Sequence, residues 1–188
     1  MSFLQSTAHR RVVVALRYVA LLFALTACSE TSASRSPIPP DSPHLAVVDE
    51  IVDGDTIVVS FSTGVTERIR LLGIDTPETS DPTRPVQCFG AEATERLTEL
   101  LSPGTPVRLE RDVEARDQYG RLLAYVFRSS DGVMVNEVLV REGYGDLSIY
   151  EPNTAYRDLL HHAVTEARTG NAGLWHVCGG ADVALDPS

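Results

Sequence analysis

The sequence predicts an α+β protein in which five short β-strands form a barrel and three α-helices accompany it. The five strand candidates fall within one small body, and a closed or partly open barrel removes the edges that an open sheet would leave unpaired. One helix candidate lies between the third and fourth strands. We find no internal repeat of the length that predicts a solenoid or a propeller. This order of elements is typical of an OB-fold barrel.

The strand candidates are short apolar or alternating segments separated by turn residues. Asp53-Gly54 is a strong hairpin signal after the first strand, and residues 62–64 mark a second turn. A charged loop at residues 112–120 separates the last two strands. The predicted strands are residues 45–52, 56–61, 65–72, 107–111 and 122–128.

The helix candidates carry apolar residues at helical spacing. In the first of them, apolar residues fall at i, i+4, i+7 and i+8 counted from Ala93, which places them on one face. Pro103-Gly104 ends this helix, and Gly143 follows the second. The predicted helices are residues 90–101, 134–142 and 154–168.

Composition narrows the possible functions. The chain has 188 residues, which suits one domain with appendages, and its 43% hydrophobic content is typical of a globular protein. All 16 basic residues are Arg, so a Schiff-base lysine and a Walker A phosphate loop, which needs a lysine, are excluded. With 26 acidic residues the net charge is −10, which argues against a protein that grips nucleic acid by bulk positive charge.

Residues 1–27 are predicted to be a lipoprotein signal peptide. Three Arg and no acid precede the uncharged, mostly apolar stretch 18–27, which is too short for a membrane-spanning helix of about 20 residues. Residues 25–28 (LTAC) resemble a bacterial lipobox, in which the cysteine becomes the lipid-bearing amino terminus. We therefore expect an exported lipoprotein anchored through Cys28 on the extracellular face or in the periplasm.

Two alternatives to this export signal stay open. One is an ordinary signal peptide with a cysteine nearby by chance, and the other is a twin-arginine signal at Arg10-Arg11, whose flanking residues match poorly. The Ser- and Pro-rich residues 28–43 predict a flexible tether. A folded domain is expected over 44–178, followed by a disordered tail at 179–188. Removal of residues 1–27 would change the net charge to −13.

Two cysteines remain once Cys28 is assigned to lipid. In an exported protein, Cys88 and Cys178 are candidates for a disulfide that closes a long loop. Two free thiols and a metal site are the alternatives, although neither cysteine belongs to a CxxC motif.

Acidic residues cluster where the second and third strands are expected to lie side by side. Asp53 and Asp55 lie just before the second strand, and Asp75 and Glu78 follow the third. Converging carboxylates repel one another unless a cation lies between them, and an all-oxygen site suits a hard ion such as Ca²⁺. Ordinary turn and loop-capping roles are the alternative reading of each fragment.

Two arginines accompany these carboxylates. Arg70 lies in the third strand, and Arg121 is at the entry to the fifth. Guanidinium groups bind phosphate through two parallel hydrogen bonds. Carboxylates, a divalent ion and two arginines together indicate a site for phosphoryl chemistry.

These residues belong to motifs that resemble the staphylococcal nuclease (thermonuclease) family in order and spacing. The resemblance covers roughly residues 46–177. The matching segments are 53–56 (DGDT), 70–78 (RLLGIDTPE), 117–121 (DQYGR), 135–137, 150–153 and the region of Trp175.

The resemblance implies an OB-fold nuclease that hydrolyses phosphodiester bonds of DNA and RNA with Ca²⁺ and leaves 3′-phosphates. It assigns Asp55, Asp75 and the carbonyl of Thr76 as metal ligands. Glu78 would position or deprotonate the attacking water. Arg70 and Arg121 would hold the phosphate, neutralise its developing charge and so complete the catalytic set.

Substrate contact departs from the family pattern. Tyr119 and Tyr150 match family tyrosines at the nucleotide, where base stacking tolerates any sequence, but the second aromatic expected near Tyr150 is Ser148. Arg84, assigned to substrate binding, and Gln118 stand where family members have lysines. We therefore expect a slower nuclease that needs more Ca²⁺ than a basic relative does.

We expect a monomeric nuclease with no obligate protein partner. Two other classes of function are alternatives to this expectation. The first is a binding module on the same barrel that has lost catalysis. The second is a surface lipoprotein whose carboxylates bind Ca²⁺ for structure only. All five catalytic and acidic positions are present, which favours the enzyme.

Overall fold

The computed structural model of the protein describes residues 44–79 and 85–185. The predicted signal peptide and tether, Cys28 and Arg84 lie outside the described residues, as does the end of the predicted tail. Within the described part, no helix has the length and apolar character needed to cross a membrane.

Seven strands are described, and five of them close into a barrel in the order β1-β2-β3-β6-β5. The predicted α+β fold with a five-stranded barrel is confirmed. The strands are β1 (His44–Ile51), β2 (Thr56–Phe61), β3 (Thr66–Leu71), β4 (Gly73–Asp75), β5 (Pro106–Glu110), β6 (Leu122–Arg128) and β7 (Asp146–Ser148).

The barrel closes at a parallel seam between β3 and β6. Ile69 lies opposite Leu122, and Arg70 lies opposite Leu123. The other four strand pairs of the barrel are antiparallel. The seam matters for the site because it brings two segments that are far apart in sequence to the same end of the barrel.

Alternation along the strands fills the barrel interior with branched apolar side chains. Ile57 and Val59 of β2 and Ile69 and Leu71 of β3 are fully buried. Burial of a side chain of this size contributes roughly 1.5–3 kcal/mol. Arg70, which lies between Ile69 and Leu71 in β3, is on the outer face of the barrel.

The three predicted helices are present, and a fourth short helix follows them. The predicted apolar face of α1, which includes Ala93 and Leu97, is buried. The third helix begins later than predicted, at Arg157. The helices are α1 (Gly90–Leu100), α2 (Val135–Arg141), α3 (Arg157–Thr169) and α4 (Leu174–Val177).

The predicted third strand, residues 65–72, corresponds to β3, and a separate short strand follows it. Gly73 has a φ of +78°, a conformation that favours glycine, and the chain there leaves the barrel. It continues as β4, which pairs with β7 in a separate two-stranded sheet. This small sheet places Asp75 beside the end of β3.

The C-terminal segment returns to the start of α1. Cys88 and Cys178 form a disulfide. Residues after Cys178 also contact this region. The backbone N–H of Cys88 donates to the carbonyl of Val183, and the backbone N–H of Leu185 donates to the carbonyl of Val86. Part of the segment expected to be disordered therefore has ordered backbone hydrogen bonds as far as Leu185.

Candidate active site

A polar pocket of about 480 Å³ opens at one end of the seam. It gathers most of the site residues predicted from the sequence. Those that line it are Asp55, Arg70, Asp75, Thr76, Glu78, Tyr119 and Arg121. Their roles remain predictions, but the fold places them around one cavity.

Strand register explains why these residues meet. Thr56, which follows Asp55, lies opposite Arg70 in the β2–β3 pair. Across the seam, Leu123 lies opposite Arg70, so Arg121, just before β6, reaches the same end of the barrel. Closure of the barrel therefore brings both arginines to one carboxylate cluster.

Arg70 makes four polar contacts at the pocket. Its Nη2 lies 3.0 Å from Oδ2 of Asp55 and 2.7 Å from Oδ1 of Asp75. Its Nη1 donates to the carbonyls of Leu71, at 2.7 Å, and Ile74, at 2.8 Å. These contacts orient the guanidinium and balance part of the negative charge of the two carboxylates.

The carboxylate of Asp55 is buried and fixed at both oxygens. Its Oδ2 accepts a hydrogen bond from the backbone N–H of Thr76 at 3.1 Å, and its Oδ1 accepts one from the hydroxyl of Thr56 at 3.0 Å. Neighbouring Asp53 is partly buried. Burial, followed by the charge of Asp55, raises the pKa of Asp53 to about 6.

The donor chemistry around Asp55 and Asp75 fits a hard divalent cation. Two carboxylates lie within reach of the same Arg70 nitrogen, and carboxylate and carbonyl oxygens are the ligands that such ions prefer. Among residues 44–79 and 85–185, no three His, Cys, Asp or Glu side chains are grouped to hold a metal. An ion bound by these two carboxylates would therefore need additional oxygen ligands, such as the Thr76 carbonyl and water.

Glu78 lies at the pocket in a segment with several fixed backbone groups. Its Oε1 accepts from the backbone N–H of Thr79 at 3.0 Å. Its own backbone N–H donates to Oε1 of Gln87 at 2.6 Å, and its carbonyl accepts from the backbone N–H of Gln87 at 2.8 Å. A Cβ on Gly90 would lie 2.8 Å from the carbonyl oxygen of Pro77, so this segment packs closely on the start of α1.

Arg121 is held by the loop that precedes it. Its Nε lies 2.6 Å from Oδ2 of Asp117. The guanidinium carbon lies 5.6 Å from the centre of the Tyr119 ring, a distance at which a cation and an aromatic face attract. The Tyr119 side chain is largely exposed, so its ring is accessible to a ligand.

Tyr150 lines an adjoining cavity of about 560 Å³ instead of the pocket itself. The two cavities share Arg70, Asp75, Tyr119 and Arg121. Ser148 and Gln118 line the second cavity as well. The two exposed tyrosines therefore lie along one continuous polar groove.

Two lining residues were missed by the sequence analysis. Arg68 lies two residues before Arg70 on the same outer face of β3, and strand alternation alone could have indicated it. Gln87 also lines the pocket. Its position depends on contacts distant in sequence, for which no local signal exists.

The fold and the pocket define a class of protein, an OB-fold barrel with arginine side chains beside a carboxylate cluster. A model of the staphylococcal nuclease homologue family matches residues 68–177. The chain is 41% identical over 129 residues to a thermonuclease of Staphylococcus intermedius, a match covering 69% of this chain and 74% of that relative. The chain belongs to the staphylococcal nuclease family, and it is an enzyme of the nuclease class.

Two relatives from Bacillus subtilis are similar over the same part of the chain. The SPbeta prophage-derived endonuclease YokF is 43% identical over 130 residues, which cover 68% of this chain and 43% of the relative. Endonuclease YncB is 41% identical over 134 residues, covering 70% of this chain and 62% of the relative. The chain therefore spans less than two thirds of either endonuclease.

Proposed function

We propose that the protein is an exported, Ca²⁺-dependent endonuclease that hydrolyses phosphodiester bonds of DNA and RNA and leaves 3′-phosphates. The observation that carries this proposal is the pocket in which Glu78, Arg70 and Arg121 meet the carboxylates of Asp55 and Asp75. Similarity to a thermonuclease and to two endonucleases supports the reaction class. The resemblance of the motifs supports the metal and the product.

The two arginines bind and orient the scissile phosphate. Arg70 and Arg121 approach the pocket from β3 and from the loop before β6, so a phosphate between them receives hydrogen bonds from two sides. Both guanidiniums are already oriented, Arg70 by carbonyls and carboxylates and Arg121 by Asp117. Such preorganised donors stabilise negative charge that develops on the phosphate oxygens.

Glu78 orients the attacking water and accepts its proton. A carboxylate with this role needs a fixed position within hydrogen-bond reach of the water. Gln87 holds both the backbone N–H and the carbonyl of Glu78, and the backbone N–H of Thr79 donates to the Glu78 carboxylate.

Asp55, Asp75 and the Thr76 carbonyl would hold the calcium ion. When bound, the ion supplies positive charge that polarises the phosphate. The chain itself keeps the two carboxylates close and Thr76 fixed through its N–H to Asp55. Tyr119 and Tyr150 offer exposed rings on which bases of any identity can stack.

Export and membrane attachment through Cys28 form part of the same proposal. The Cys88–Cys178 disulfide supports it, because disulfides persist in oxidising compartments outside the cytosol. The protein would act as a monomer tethered by residues 28–43. Mass analysis of the mature amino terminus tests the anchor: a lipid-modified Cys28 is expected, and an unmodified terminus elsewhere would contradict it.

Digestion of supercoiled plasmid by a domain beginning at residue 44 tests the activity. We expect relaxed and linear DNA with Ca²⁺, no cutting with a chelator, and no cutting by Glu78→Gln or Arg121→Ala. Arg141→Ala is the matched control, since it removes one exposed charge on α2 away from the pocket. Binding without cutting would instead identify a binding module, and neither activity would identify a structural lipoprotein.

A further inference from the structure

Gln87 is a buried amide that contacts the segment carrying Glu78 at two points. Its side-chain Oε1 accepts from the backbone N–H of Glu78 at 2.6 Å, and its backbone N–H donates to the carbonyl of Glu78 at 2.8 Å. Only 8% of Gln87 is exposed. The two contacts fix both peptide groups of Glu78, and with them the direction in which its carboxylate leaves the backbone.

The other end of the Gln87 side chain is held by the C-terminal segment, residues 178–185. Its Nε2 donates to Oδ1 of Asp182 at 3.0 Å, and Gln87 pairs with Ala184 in an antiparallel bridge. Both polar ends of the amide are therefore satisfied, which fixes its orientation.

The disulfide ties this C-terminal segment to the residue next to Gln87. Cys88 is bonded to Cys178, and the hydrogen bonds of Val183 and Leu185 lie on either side of Gln87. A continuous set of contacts thus runs from the disulfide through residues 182–185 to Gln87 and on to Glu78.

We propose that Gln87 is a positioning residue for Glu78, and that the disulfide-bonded segment 178–185 holds Gln87 in place. The inference rests on the proposed function of Glu78. Gln87 acts through the backbone of Glu78 and takes no proton itself. A shift of about 1 Å in a catalytic group lowers turnover on the order of a hundredfold, so loss of this support reduces turnover while the arginines still bind substrate.

Gln87→Met tests the proposal, because methionine keeps the length and packing of the side chain but removes the two side-chain hydrogen bonds, to the Glu78 N–H and to Asp182. We expect kcat to fall by about tenfold to a hundredfold, with little change in KM or in binding of a single-stranded oligonucleotide. Amide hydrogen exchange at Glu78 is expected to accelerate, since its N–H loses an acceptor. An unchanged kcat, or a change confined to KM, would overturn the proposal.

Asn136→Ala is the matched control for loss of a buried amide. Asn136 is fully buried, accepts from the N–H of Val126 and donates to the carbonyl of Leu72, but it does not line the pocket. We expect this variant to lower the melting temperature and leave kcat intact at temperatures where it is folded. An equal loss of kcat in both variants would show that reduced stability lowers kcat in general, and it would overturn the positioning role of Gln87.

A chain ending at Gly180 provides a second variant if Gln87→Met does not fold. It keeps the disulfide but removes Asp182 and the bonds of Val183 and Leu185. Turnover should fall, and combining the truncation with Gln87→Met should give less than the product of the two separate losses. Full activity of the truncated chain would overturn the role of segment 178–185.

The two proposals fail in different ways. If the intact protein does not cut nucleic acid under any condition, the proposed function fails, and the exchange rate at Glu78 in Gln87→Met still tests the contact. If the intact protein cuts and both variants retain its kcat, only the positioning role fails.

Discussion

The carboxylate of Asp117 holds Arg121 at both its backbone and its side chain. Oδ1 accepts from the backbone N–H of Arg121 at 2.9 Å, and Oδ2 lies 2.6 Å from its Nε. The same Oδ1 accepts from the backbone N–H of Tyr119 at 3.0 Å. One side chain therefore orders the whole loop that presents a guanidinium and an aromatic ring to the pocket.

Asp117→Asn is expected to lower kcat by about tenfold, because the amide cannot accept at both positions while facing the Nε donor. Arg121→Ala should lower it further, and Arg121→Lys should not restore it, since lysine lacks the planar pair of donors. Steady-state kinetics with single-stranded DNA measure these changes. Wild-type kcat in Asp117→Asn would show that Arg121 needs no such support.

Arg68→Ala is expected to raise KM for polynucleotides several-fold and to leave kcat nearly unchanged. Arg68 lies along β3 beside Arg70, where it can meet a phosphate flanking the scissile one. The slope of log Kd against log salt should fall by about one unit. Arg141→Ala removes the same charge at a distance and serves as the control. A loss of kcat without a change in KM would place Arg68 in the chemical step instead.

The rate should depend only weakly on salt. Without residues 1–27 the net charge is −13, so long-range attraction of nucleic acid is absent and binding depends on a few arginines. We expect kcat/KM to fall about tenfold or less between roughly 50 and 200 mM salt. A basic relative should fall more steeply in the same assay. A thousandfold fall in kcat/KM over this range would contradict the expected absence of long-range electrostatic attraction.

Asp131 is expected to make a pH-dependent contribution to stability. Its pKa lies below the ordinary value of 3.8, chiefly because Arg128 donates to its carboxylate and then because the N–H of Val133 does. The charged form is thus favoured in the folded state, so the contribution is present above pH 3.8 and is lost as pH falls through the lowered pKa.

Thermal unfolding of Asp131→Asn across pH tests this expectation. The variant should melt below the wild type at pH 7, and the difference should shrink as pH falls below 3.8. Glu95→Gln, at an exposed position on α1, is the control for loss of one charge. A difference that grows toward low pH would give the opposite sign and rule out the pairing as its cause.

The barrel strands and long helices could be predicted because their signals are local. Alternation and turn residues place β2 and β6 at the predicted bounds, 56–61 and 122–128. The short strands β4 and β7 could not be found in this way. Each has three residues, too few to show a period, and their pairing joins distant parts of the chain.

Site residues in local motifs could likewise be predicted, whereas one that depends on contacts distant in sequence could not. Asp55, Asp75 and Arg121 lie in motifs that can be read from the chain, and the fold brings them to one pocket. Gln87 could not be predicted, since its side-chain partner Asp182 is 95 residues away. Such a contact becomes visible only when the C-terminal segment has been placed.

Because of the parallel seam between β3 and β6, recovery of catalysis can be used to follow folding of the barrel. Arg70 belongs to one side of that seam and Arg121 to the other, so neither half of the barrel can present both guanidiniums to a phosphate. Recovery of cutting during refolding would therefore time the final closure of the barrel, whereas circular dichroism would register helices that form at any earlier moment.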